Sequence, residues 1–135
     1  MGSSEQTRCL RQRVPAVPAS VREIRVLALD FARTRCGADE PLLSEIALCV
    51  SEAVGNAVVH AYAEPGGEIS VVIEAVHGGL VVEVCDEGAG TSLPSATPGL
   101  GLGMKIVSKL SDATFQPTSD ATGLRVTMRF PCGVE

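Results

Sequence analysis

Apolar residues recur at helical intervals in two long stretches of the first half of the chain and then give way to four short, strand-like stretches. In "SVREIRVLALDFARTRCG" the apolar positions follow a helical period, Ser20 and Glu23 stand at capping-box spacing, and Gly37 supplies a stop. That pattern predicts a first helix, preceded by a short strand around Arg11 to Val17. The next stretch, "ADEPLLSEIALCVSEAVGNAVVHAY", opens with acidic residues and Pro41, which suit a first helical turn. It continues with Leu43, Ile46, Ala47, Val50, Val54, Ala57 and Val58 on a broad apolar face, so it should form the longest helix, buried on one side.

"AEPGGE" breaks this helix. "ISVVIEAV" and "LVVEVCDEG", joined by "HGG", read as an antiparallel hairpin. The segment "AGTSLPSATPGLGLG" is rich in Gly, Pro, Ser and Thr and predicts a loop, after which "MKIVSKLSD" returns to helical spacing. "ATFQP" and "GLRVTMRF" close the chain as strands, the second alternating Leu124, Val126, Met128 and Phe130 against Arg125, Thr127 and Arg129. Together these elements predict an α+β fold, a two-layer sandwich of two or three helices on one face of a mainly antiparallel sheet. Residues 1–10 read as an N-terminal tail and 11–135 as a single domain.

Composition narrows the function classes. The chain has 135 residues, of which 45% are hydrophobic, enough for one domain with a core. A net charge of −5 and the lack of a basic cluster with interleaved aromatics argue against a direct nucleic-acid binder. Five widely spaced cysteines without a C-x-x-C pair read as reduced thiols acting as small hydrophobes. No apolar core of signal-peptide length opens the chain, and no segment reads as a membrane span, so a cytoplasmic protein without membrane contact is expected. With two histidines in the chain, a metal cluster built on imidazoles is not expected.

The candidate chemistry lies in three places. In "SEAVGNAVVHAY" the polar residues Glu52, Asn56 and His60 recur every four residues and form one slanted stripe on a helix otherwise built of Ala and Val. "CDEGAG" puts Asp86 at a strand end, followed by Gly88 and Gly90, which permit close approach of a ligand. "GLGLGMKIV" places Gly99, Gly101 and Gly103 ahead of a helix, where backbone N–H groups and the helix dipole favour phosphate. Asn56 offers the neutral oxygen that Mg²⁺ accepts alongside water and phosphate oxygens. Glu52, one turn earlier, could take the proton of an attacking hydroxyl, and Asp86 could accept from a ligand's amino group. Each motif alone is commonly structural; the three in order are not.

In this order the motifs resemble the N box and the two glycine boxes of the ATP-binding domain shared by gyrase-type, histidine-kinase-type and chaperone-type ATPases, the GHKL superfamily. Within it, "SEAVGNAVVHAY" looks most like the bacterial anti-sigma-factor serine/threonine kinases of the sporulation and general-stress type. The resemblance implies a Bergerat-type ATP-binding fold, ATP and Mg²⁺ as cofactors, Glu52 as catalytic base and Asn56 as the Mg²⁺ ligand. It also implies Asp86 as the adenine-reading carboxylate, Gly88 and Gly90 in the adenine pocket, and Gly99, Gly101 and Gly103 facing the phosphates. His60 reads either as a hydrogen-bonded histidine closing the helix or as a nucleotide contact. The implied activity is phosphorylation of an anti-sigma-factor antagonist together with sequestration of a sigma factor, in a homodimer. A non-catalytic, nucleotide-gated binding module and a switch kinase acting on a signalling scaffold are the alternatives. Two positions depart from the family pattern: Gly55 stands where relatives often carry Thr, and Thr122-Gly123-Leu124 replaces the Gly-Thr that usually precedes the last strand.

Overall fold

The computed structural model describes residues 8–62, 67–86, 98–118 and 123–132. Five strands form one antiparallel sheet in the order β1-β2-β3-β5-β4, with β1 Cys9–Pro15, β2 Glu68–Val76, β3 Gly79–Asp86, β4 Asp112–Pro117 and β5 Leu124–Pro131. Helices α1 (Ala19–Arg35), α2 (Glu40–Tyr62) and α3 (Pro98–Leu110) cover one face of it. This is the expected α+β two-layer sandwich. The alternation of β2 and β3 turns Ile69, Val71, Ile73, Leu80, Val82 and Val84 inward, where they meet Ile46, Val50 and Val54 of α2 in one buried core. Asp86 continues the inward register of β3 and is the one charged group it carries into that layer.

Several boundaries differ from expectation, each for a local reason. β1 begins at Cys9 and ends at Pro15 rather than spanning Arg11 to Val17, because the chain turns after Pro15, where the Val17 N–H donates to the Pro15 carbonyl at 2.8 Å. Ser20 does not cap α1. Pro18 occupies the cap, and Ser20 is buried inside the first turn with its hydroxyl donating to the Pro15 carbonyl at 2.7 Å, tying the helix to the end of β1. Gly37 is the predicted stop: it adopts φ 64°, and the N–H groups of Cys36 and Ala38 both return to the Ala32 carbonyl. Asp39 then caps α2 by accepting the Leu42 N–H at 3.1 Å, with Pro41 in the first turn.

The expectation that no segment is apolar enough to cross a bilayer fails for α2. Glu40–His60 meets the length and hydropathy criteria, because its Ala and Val residues serve a buried face. Ile46, Cys49, Val50 and Val54 are fully buried against the sheet and the other helices. Arg25 donates to the Ser51 hydroxyl at 3.1 Å and links α1 to α2, while Arg22 is exposed. On the sheet, Arg13 pairs with Glu68 at 2.8 Å and Arg125 with Glu83 at 3.1 Å; both pairs are partly solvated, so each adds at most about 1 kcal/mol.

Gly55 is a weak point of α2. A Cβ at this position meets nothing within 4 Å among the described residues, which place no packing demand on the glycine. Replacing it with Ala should stabilise the chain by about 1 kcal/mol, through helix propensity and lower unfolded-state entropy. Thermal unfolding of Gly55→Ala should show a rise of a few degrees; a lower melting temperature would mean that the open space beside Gly55 is occupied in solution.

Candidate functional site

The polar stripe of α2 lies on the side that faces α3 and the end of β3. Glu52 and Asn56 are half-buried, and Val59, beside the stripe, is exposed. Gly103 of α3 sits directly against Glu52: a Cβ there would lie 2.6 Å from Glu52 Oε1 and 3.6 Å from its Cδ. A side chain here would push the flexible end of Glu52 out of this position, so the glycine is what leaves the carboxylate where it stands. The Glu52 carboxylate and the third glycine of "GLGLG" are therefore in contact, although 50 residues lie between them in sequence.

Two turns further along α2, His60 Nδ1 lies 3.8 Å from Asp86 Oδ2, and the two side chains are 15% and 3% exposed. A carboxylate this deeply buried must be held by polar neighbours, since removing it from water is costly. His60 supplies one such neighbour. Gly123 presses on Asp86 from the other side: a Cβ at 123 would collide with the Asp86 main-chain carbonyl oxygen and stand 3.0 Å from Asp86 Oδ1. Gly123 is fixed there by Thr118, whose N–H donates to the Gly123 carbonyl at 3.0 Å and whose hydroxyl accepts the Gly123 N–H at 3.0 Å.

The glycine loop is placed differently from expectation. α3 starts at Pro98, so Gly99, Gly101 and Gly103 lie inside its first two turns rather than in a loop ahead of it. Proline at the first helical position presets φ and needs no N–H partner, which outweighs the glycines' preference for irregular backbone. Free N–H groups and the positive end of the dipole still belong to this end of α3. Gly88 and Gly90, the stretch up to residue 97, and Thr122 lie outside the described residues.

The departure from the family pattern at Thr122-Gly123-Leu124 displaces the threonine that usually follows the last-box glycine. Gly123 itself lies against Asp86, and Leu124 follows it as the first residue of β5. The available signal was a glycine immediately before an alternating strand. Lys105 and Lys109 are exposed on α3, and His77 sits in the β2–β3 turn, at the other end of β3 from Asp86. Among the described residues no group of three His, Cys, Asp or Glu side chains could hold a metal ion. A cleft of about 360 Å³ does lie along the His77 end of the sheet, lined by Gly78, Gly79, Arg129 and Pro131 among others, and it involves none of the predicted site residues.

The fold thus brings together a half-buried carboxylate of α2 seated against the glycine-rich start of α3, an amide one turn further along α2 and a buried Asp at the end of β3. The family model for the histidine kinase-like ATPase domain matches residues 14–130, nearly the whole of the described fold. The chain belongs to the histidine kinase-like ATPase domain family. Membership makes it an ATP-binding domain of the GHKL type. This histidine kinase-like domain is 29% identical over 104 residues to the anti-sigma F factor of Clostridium acetobutylicum, covering 67% of this chain and 73% of that protein. It is 39% identical over 80 residues to the serine-protein kinase RsbW of Bacillus subtilis, covering 58% of this chain but only 49%, about half, of that relative's length. Among solved structures, the nucleotide-free catalytic domain of the histidine kinase ThkA matches with a TM-score of 0.51 at 17% identity, over 93% of this chain and 99% of that one. At that identity the match speaks for the fold.

Proposed function

We propose that this domain is an anti-sigma factor with serine/threonine protein kinase activity, which binds ATP with Mg²⁺, phosphorylates an antagonist protein and sequesters a sigma factor. The observation that carries the reading is the seating of Glu52 against Gly103, which holds a carboxylate beside the helix start where phosphates would bind. The two curated relatives, one named an anti-sigma factor and one a serine-protein kinase, support the choice of partner and substrate.

In this reading Glu52 accepts the proton of the attacking seryl hydroxyl, a role that requires only a positioned carboxylate near neutral pH. Asn56, one turn away, presents its carbonyl oxygen to Mg²⁺, and the metal supplies charge neutralisation on the phosphates when bound. The glycines at 99, 101 and 103 let phosphate oxygens approach the end of α3. Asp86 accepts a hydrogen bond from the adenine amino group, with His60 and Gly123 fixing its position; Gly88 and Gly90 complete the adenine pocket. The protein acts in the cytoplasm as a homodimer, without direct contact to nucleic acid or membrane.

The test is transfer of the γ-phosphate from labelled ATP with Mg²⁺ onto antagonist candidates from the same organism, beside capture of sigma factors. Label on one antagonist, with one sigma factor retained, is the expected result. ATP binding without label on any candidate would leave a nucleotide-gated binding module in its place, and label without sigma retention would leave a switch kinase acting on a scaffold.

A further inference from the structure

Two cysteines far apart in sequence converge at the β2–β3 turn, at the end of the sheet opposite the candidate nucleotide site. Cys36, the C-cap of α1, points its thiol at the Gly79 carbonyl oxygen at 3.9 Å. Cys132, the first residue after β5, donates its N–H to the neighbouring Gly78 carbonyl at 3.3 Å. Both belong to the helix-side core, Cys36 as a buried member and Cys132 packed against it. Gly79 is held in turn by its pairing with Pro131, and a Cβ at 79 would lie 2.7 Å from the Phe130 carbonyl oxygen, so the backbone that positions both cysteines has little room to drift. Cys36 is buried, while Cys132 is half-buried and so is the member of the pair within reach of solvent.

We infer that Cys36 and Cys132 form a disulfide under oxidising conditions, a covalent staple from the end of α1 to the end of β5. With hydrogen peroxide as oxidant, one sulfur is first converted to a sulfenic acid as the O–O bond breaks and one water leaves. The other sulfur then attacks it, forming the S–S bond and releasing the second oxygen as water; two electrons pass from the thiols to the peroxide. Burial is the main cause that pushes the Cys132 thiol up to about 12, and it raises Cys36 as well. Both sulfurs are therefore protonated near neutral pH, and the bond closes slowly, because the thiolate is the reactive form. The bond would close a loop of about 100 residues, the regime in which a cross-link restricts the unfolded chain most. It lies about 24 Å along β3 from Asp86, so it acts on the fold rather than on the site chemistry.

The experiment is peroxide treatment of the full chain, followed by intact mass, peptide mapping without reductant, and thermal unfolding. The expected result is a loss of about 2 Da, one linked peptide pair containing residues 36 and 132, and a melting temperature higher by about 10 °C that reductant reverses. Cys132→Ser should remove all three changes, and a Cys9→Ala, Cys85→Ala double variant should keep them. Linkage of other cysteines, thiols that resist oxidation, or a linked form that melts lower would overturn the assignment, and the wild-type maps decide this even if a variant folds poorly.

Discussion

Glu52→Gln should lower phosphoryl transfer by about 10²- to 10⁴-fold, the usual contribution of a positioned general base, while ATP binding stays within a few-fold of wild type. Glutamine keeps the size and the packing against Gly103, so the change removes the proton acceptor and little else. Gly103→Ala tests the same carboxylate from the other side. Its Cβ would stand 2.6 Å from Glu52 Oε1, and the flexible end of Glu52 must swing away. The helix itself gains about 1 kcal/mol from replacing an internal glycine with alanine. Transfer should therefore fall while thermal stability holds or rises, a combination that general damage to the fold does not produce. Single-turnover transfer with melting curves for both variants decides it. Transfer at the wild-type rate in Glu52→Gln would remove Glu52 from the base role, and a wild-type rate in Gly103→Ala would mean that the carboxylate works from another position.

The architecture was legible because most elements have strong periods: the alternation in "ISVVIEAV" and "GLRVTMRF" and the apolar face of α2 leave one arrangement that buries them together. The stripe of Glu52, Asn56 and His60 was legible for the same reason, since a step of four on a helix is a statement about faces. What the period could not supply was the partner across the core. Nothing local ties Gly103 to Glu52 or Gly123 to Asp86; these are contacts between elements brought together by sheet order. The start of α3 differs from expectation because Ser95, Thr97, Pro98 and Gly99 and the glycines after them look like loop, while Pro98 at the first position favours the helix. Ser20 was misread for a related reason, in that a capping-box spacing does not reveal that a nearby carbonyl, that of Pro15, competes for the hydroxyl.

Asp86 is where loss of ligand binding should be greatest. Its carboxylate is 3% exposed, His60 Nδ1 stands 3.8 Å away, and Gly123 packs on both its backbone and its side chain. In the proposed role one oxygen of this carboxylate accepts the adenine amino group, a hydrogen bond to a charged acceptor worth about 1.5–3 kcal/mol. Asp86→Asn keeps the shape but loses the charge, and its amide can turn a donor toward another donor, so ATP affinity should fall by about 10- to 100-fold. Gly123→Ala reaches the same point by force. The new methyl would meet the Asp86 main-chain carbonyl, which cannot rotate away as a side-chain end can, so the variant should lose about 1–3 kcal/mol of stability and bind ATP poorly even when folded. Calorimetric titration with ATP and GTP, beside unfolding curves without nucleotide, separates the two effects. Asp86→Asn should weaken ATP far more than GTP at unchanged stability, whereas Gly123→Ala should lower stability and binding together. Equal affinity of Asp86→Asn and wild type for ATP would mean that the buried carboxylate serves the fold, and that the adenine end of the site is read by other residues.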